Sequence, residues 1–150
     1  MSALTLSAAQ AAVVAGLTER YTDFAVELHG GKFSERELPF LLGKAPVILV
    51  SCAKVLDFQT LGPDGWKGTL QWTLAVLATD TATTPRAAMA LDTIFDLLRW
   101  VPSQRWGLQE AELPDPESMA NADNLYTGHV NALRVALWGT GWKQTFQTLY

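Results

Sequence analysis

The sequence predicts an α+β fold: a mostly antiparallel or mixed sheet with helices packed against it, in a single domain spanning residues 1–150. Three observations lead there. Segments of helical periodicity alternate along the chain with segments of period two. Clusters of Gly, Pro and Asp separate them. A chain of 150 residues, 49% of them hydrophobic, is long enough for one core that buries roughly 70% of the surface its unfolded form exposes.

The elements follow in order. Ser7 and Gln10 have capping-box spacing, and Val13, Val14, Leu17 and Tyr21 recur at helical intervals, predicting an amphipathic helix over 8–21. Phe24, Val26 and Leu28 alternate with Ala25 and Glu27, a short strand ended by Gly30 and Gly31. Ser34 and Glu37 repeat the capping spacing, but Pro39 restricts the helix to a short turn ending before Gly43. Residues 45–56 begin apolar on both faces and then alternate, predicting a strand covered on both sides at its start and placed near the centre of the sheet. After the turn cluster Gly62, Pro63, Asp64 and Gly65, Leu70, Trp72, Leu74, Val76 and Ala78 point one way while Thr69, Gln71 and Thr73 point the other. The two strands make an antiparallel hairpin with a long connection.

Thr84 and Pro85 fit the N-cap and first position of a helix reaching Val101, with Leu91, Ile94, Phe95 and Leu98 as its apolar face and Pro102 as its stop. Residues 106–113 predict another strand. Residues 114–127, with Asp115, Pro116, Glu117, Asn121, Asp123 and Asn124, read as an exposed, flexible acidic loop with little apolar area to offset the entropy of ordering. Residues 130–138 alternate again, and Gly139 and Gly141 between Trp138 and Trp142 predict a bulge or bend in the last strand pair.

Composition then narrows function. Eleven basic against fifteen acidic residues, a net charge of −4 and a pI near 5.0 argue against nucleic-acid binding, which needs a Lys/Arg surplus. Charged residues are only 17%, against a usual figure of about 25%, which implies that part of the surface is covered by something other than water. The single cysteine, Cys52, cannot form an internal disulfide and suits a reducing cytoplasm. The Ala-rich first residues lack a basic n-region and are broken by Gln10, so they read as helix rather than signal peptide. No run approaches the roughly 20 apolar residues of a membrane span, so no membrane partner is expected.

Catalytic patterns are weak. Ser51 and Cys52 stand side by side, but a reactive thiol needs a base or positive field, and the two histidines, His29 and His129, lie in separate loops. Cys52 reads as a buried packing residue. There is no CxxC, no HxxxH and no compact calcium loop, so neither metal nor cofactor is expected. Asp92 and Asp96 lie one helical turn apart near Arg99, opposite the apolar face, and read as a solvated helix surface. Gly30 and Gly31 before Lys32, and Gly62 to Gly65, are turns rather than phosphate loops. The unusual feature is six tryptophans: Trp66, Trp72, Trp100, Trp106, Trp138 and Trp142. Core packing is the ordinary reading for any one of them. With the shortage of charge, Trp66, Trp72, Trp138 and Trp142, together with Tyr126, become candidates for a subunit or partner interface.

The strand segments KAPVILVSCAKV and GTLQWTLAVLATD, the helix PRAAMALDTIFDLLRWV and the closing NLYTGHVNALRVALWGTGWKQTF resemble the Mu-like phage and prophage proteins of the gene-37 type, which are similar to the tail terminators of long-tailed phages. The resemblance covers residues 7–146, with Asn124, Leu125 and Tyr126, then Val135, Ala136, Leu137 and Trp138, as its most telling positions. Family members continue the final strand unbroken, whereas this chain has Gly139 and Gly141. The resemblance implies a non-enzymatic virion protein of the tail or neck, assembled in the host bacterial cytoplasm. Its implied partners are itself, in a homo-oligomeric ring of six, the tail tube protein and the head connector protein. Low charge favours extensive subunit contact, and a head-to-tail contact that closes gives a ring. The competing readings are another neck or tail-completion component, a monomeric binding module using the acidic loop, and a small enzyme using Cys52.

Overall fold

The computed structural model describes residues 3–30, 35–125 and 127–148. Helix α1 (Leu6–Arg20) begins at Thr5, whose Oγ1 accepts the Ala8 N–H at 3.1 Å, so the cap lies two residues before the predicted Ser7. Ala9, Val13 and Leu17 form its buried face. Strand β1 (Ala25–Leu28) follows, and 3-10 turns at Glu35–Glu37 and Leu42–Lys44 flank the four-residue α2 (Leu38–Leu41). Pro39 fits α2 because it falls in the first turn, where the missing N–H has no helical partner to lose. Ser34, the predicted cap, lies outside the described residues.

Strand β2 (Val47–Leu61) pairs parallel with β1 and antiparallel with β3 (Gly65–Thr79). The hairpin connection is therefore short, residues 62–64, with Gly62 at φ +72°, and not the long one predicted. The alternation fades after Cys52 because β2 is bulged between Cys52 and Lys54 and between Leu56 and Gln59, where Asp57 takes a left-handed φ of +52°. Each bulge swaps the side chains to the other face, so the strand's period is lost while its pairing continues.

Helix α3 (Arg86–Trp100) starts at Pro85. Its capping acceptor is Asp80, whose carboxylate takes the Arg86 N–H at 2.8 Å and the Arg86 guanidinium at 2.8 Å, in place of the predicted Thr84. The face it buries is Ala90, Thr93, Ile94 and Leu97; of the predicted face only Ile94 is buried, and Leu91 and Phe95 are exposed. Residues 106–113 are not a strand. Trp106 and Gly107 take positive φ of +59° and +71°, and only Ala111 forms a bridge, to Phe146.

The acidic segment is more structured than a loop. It holds a 3-10 turn (Pro116–Met119) and strand β4 (Ala122–Asn124), and Met119 is buried, while Asp115, Glu117 and Asp123 stay exposed. Residues 130–132 belong to the short α4 (Gly128–Ala132), and the last strand, β5, runs unbroken over Val135–Gln147. No bulge occurs at Gly139 or Gly141: the register with β3 is continuous from Thr79↔Val135 to Lys67↔Gln147. Gly141 serves a close approach instead, since a Cβ there would stand 2.4 Å from the Trp72 carbonyl oxygen.

The five strands form one mixed sheet in the order β1-β2-β3-β5-β4, so β3 is central and β2 is the inner strand beside it. On one face α1 and α3 pack over Val50, Leu70, Trp72, Leu74, Val76, Trp142 and Phe146. On the other, Leu38 and Leu41 of α2 and Val130 of α4 cover only one end, over Val47, Leu49, Ala75, Leu77 and Leu137. That half-covered face accounts for the doubly apolar start of β2 and leaves the rest of the sheet open.

Candidate functional site

Beyond the Leu49, Ala75 and Gly139 row, the open face continues with Ser51, Thr73 and Gly141 and then Lys54, Gln71 and Lys143. These small and polar residues floor a groove of about 1160 Å³. His29 at the end of β1 borders one side, and Asp115, Glu117 and Asp123 border the other. Hydrogen bonds hold the acidic border: the Asp115 N–H donates to the Lys143 carbonyl at 2.9 Å, and the Lys143 N–H donates to Ser118 Oγ at 2.8 Å.

Ser51, Cys52 and His29 all line this groove, but the Cys52 thiol and the His29 ring are each engaged with another group. Cys52 is half-buried at the groove rim, its side chain packed against the first core and its thiol 3.7 Å from the Lys54 carbonyl oxygen. Burial pushes its pKa up, so the thiol stays protonated at neutral pH. His29 Nε2 is bonded to Glu37 Oε2 at 2.6 Å. Among the described residues no group of three or more His, Cys, Asp or Glu could hold a metal ion. No described helix is long and apolar enough to cross a membrane.

Asp92 is exposed as predicted, but Asp96 is a tie between helices. It accepts from Arg20 Nε and Nη2, both at 2.9 Å, and from the Tyr21 hydroxyl at 2.7 Å. The hydrogen-bonded Arg20 guanidinium holds its carboxyl below the usual range, while burial pushes the Tyr21 phenol up.

Three of the predicted interface aromatics, Trp66, Trp72 and Trp142, lie in the protein's own core, Trp72 at 0% and Trp142 at 1% exposure. Trp138 is half-buried, and Tyr126 lies outside the described residues. Trp72 and Trp142 stack with centroids 5.9 Å apart, and Trp106 lies 5.7 Å from Trp142. Gln144 knots this cluster together: its Oε1 accepts the Trp106 and Trp142 indole N–H groups at 2.9 and 3.0 Å, and its Nε2 donates to the Gln104 and Glu112 carbonyls at 3.0 and 2.7 Å. Such a buried amide fixes the two indoles in place, which explains their location better than a partner does.

The exposed apolar side chains are elsewhere. Phe40 on α2 is 82% exposed, Phe58 on β2 is 52% exposed, and Leu91 and Phe95 on α3 are 51% and 60% exposed. Sequence reasoning placed Leu91 and Phe95 inside. The available signal was that α3 carries Ala90, Leu91, Ile94, Phe95, Leu97 and Leu98, an apolar arc wider than one packed face requires. No family model matches this chain, and no curated protein matches it either.

Proposed function

We propose that the protein is a non-enzymatic tail terminator, a virion subunit that closes into a ring of six on the tail tube and presents a surface to the head connector. The observation that carries this reading is the distribution of its exposed apolar side chains. Phe40 stands on the half-covered face and Phe58 far along the β2–β3 hairpin, both outside the two buried clusters of the chain. A ring subunit meets neighbours on several sides at once, and large apolar side chains left in water at separate places suit such a subunit. The resemblance of the segments around Asn124 and Trp138 to the phage family supports the same reading. The continuous final strand across Gly139 and Gly141 fits the unbroken strand of that family.

The experiment adds the purified protein to polymerising tail tube subunits of the same phage and examines the products by negative-stain microscopy. Capped tubes of limited length, with free rings in the protein alone, are expected. Tubes of unchanged length distribution, together with normal tails and joined heads in a phage lacking the chain, overturn the proposal. The open groove favours one second reading, a monomeric binding module. A protein that stays monomeric and leaves tube growth unchanged supports that reading instead.

A further inference from the structure

We infer that the outer face of α3 is a self-association surface, on which two copies of this chain pack their α3 helices antiparallel about a two-fold axis near Phe95. The contact is separate from the ring: a two-fold contact pairs subunits, or rings back to back, and cannot by itself close a ring of six.

The argument begins with helix geometry. The buried side of α3 is centred on Ala90, Ile94, Leu97 and Val101. At 100° per residue the opposite side is centred on Ala88, Asp92, Phe95 and Arg99, with Leu91 beside them. Phe95 and Leu91 lie one turn apart on this side and are the apolar centre of the stripe. The other charges of the helix are committed within the chain: Asp96 is bonded to Arg20 and Tyr21, and Arg86 to Asp80. Asp92 and Arg99 form no ion pair among the described residues. The Arg99 guanidinium lies over the Phe95 ring, 5.6 Å from its centroid, and so stands at the stripe.

The placement of these two charges selects the partner and its direction. Asp92 and Arg99 are seven residues apart, about 10.5 Å along the axis, and point to the same side of the stripe. In an antiparallel pair related by a two-fold axis, like flanks of the two helices meet. An axis between Phe95 and Asp96 then sets each Asp92 level with the neighbour's Arg99, twice by symmetry, with the two Phe95 rings at the centre. A parallel pair would turn the charged flanks away from each other. The stripe is thus complementary to a copy of itself, and its one acid and one base leave no net charge for a strongly charged partner to exploit. The contact is confined to one helix face, smaller than a standard interface of about 800 Å² per partner, so it dissociates on dilution.

Sedimentation equilibrium over about two decades of protein concentration tests this. The wild-type protein is expected to show a monomer–dimer step, alone or superimposed on ring formation. Phe95→Glu is expected to weaken that step at least about tenfold, because it sets two carboxylates against each other at the axis. Asp92→Arg and Arg99→Asp are each expected to weaken it by a similar factor, and the double swap to restore it to within about threefold. All of these side chains are exposed, and if Phe95→Glu loses its native circular dichroism the swap set decides. A protein without a dimer step, a dimer untouched by Phe95→Glu, or single reversals that the double swap does not rescue overturns the inference. Rings that form equally in every variant, with no dimer step, overturn it while leaving the ring reading intact.

Discussion

Replacing Gln144 by Leu tests whether the buried amide holds the tryptophan cluster. The substitution shortens the side chain by one carbon and removes all four of its hydrogen bonds, two accepted from indole N–H groups and two donated to carbonyls. Both indoles belong to buried residues, so their N–H groups have no water to turn to, and each buried unsatisfied donor costs about 1–3 kcal/mol. The Gln104 and Glu112 carbonyls belong to residues nearer the surface and recover part of their loss by hydration. The added apolar burial of Leu returns about 1 kcal/mol. The net destabilisation is about 3 kcal/mol, a large fraction of the 5–15 kcal/mol typical of a domain, and lowers the melting temperature by roughly 6–12 °C. Urea unfolding, followed by tryptophan fluorescence and far-UV circular dichroism, measures it. Gln104→Ala is the control, because that residue serves the knot through its carbonyl, and it should stay within about 0.5 kcal/mol of wild type. A Gln144→Leu protein within about 1 kcal/mol of wild type would refute the reasoning.

Further expectations rest on single contacts. Gly141→Ala should cost more than about 2 kcal/mol, since its Cβ would meet the Trp72 backbone oxygen at 2.4 Å. Gly139→Ala should cost less, because its nearest neighbour is the movable end of Leu125 at 3.3 Å; equal losses in thermal melts would contradict the close-approach account. Asp96 is held below its unfolded-state value, chiefly by the Arg20 hydrogen bonds, so its contribution is present at neutral pH and is lost as the pH falls through the depressed folded value. Urea midpoints measured against pH should therefore fall less steeply in acid for Asp96→Asn than for wild type, and parallel curves would argue against the tie. Burial raises the Cys52 thiol, so alkylation in the native protein at neutral pH should be slower than for free cysteine and should speed up as the pH rises through the raised value. Cys52→Ala should cost around 1 kcal/mol, and a loss of phage assembly in a folded Cys52→Ala protein would show that the residue does more than pack.

The sequence by itself determined the fold class, the two long helices and the β2–β3 pairing. Those follow from periodicity and turn chemistry, which act over a few residues. The side of α3 that turns inward was not legible, because Leu91, Ile94, Phe95 and Leu98 form as good a stripe as Ala90, Ile94 and Leu97. The choice was made by the sheet and by Arg20 of α1, which draws Asp96 toward it. Trp66, Trp72 and Trp142 read as interface candidates for a related reason: composition counts indoles without showing what packs on them, and the Trp66 indole N–H reaches the Leu4 carbonyl only across 62 residues of chain. Gly139 and Gly141 look like a bend when read along the strand and are a close approach when read across it, since the atom that demands glycine at 141 is the Trp72 carbonyl oxygen. Partners far apart in the chain leave no periodic trace in it, and they decided which apolar side chains were buried and which were left facing water.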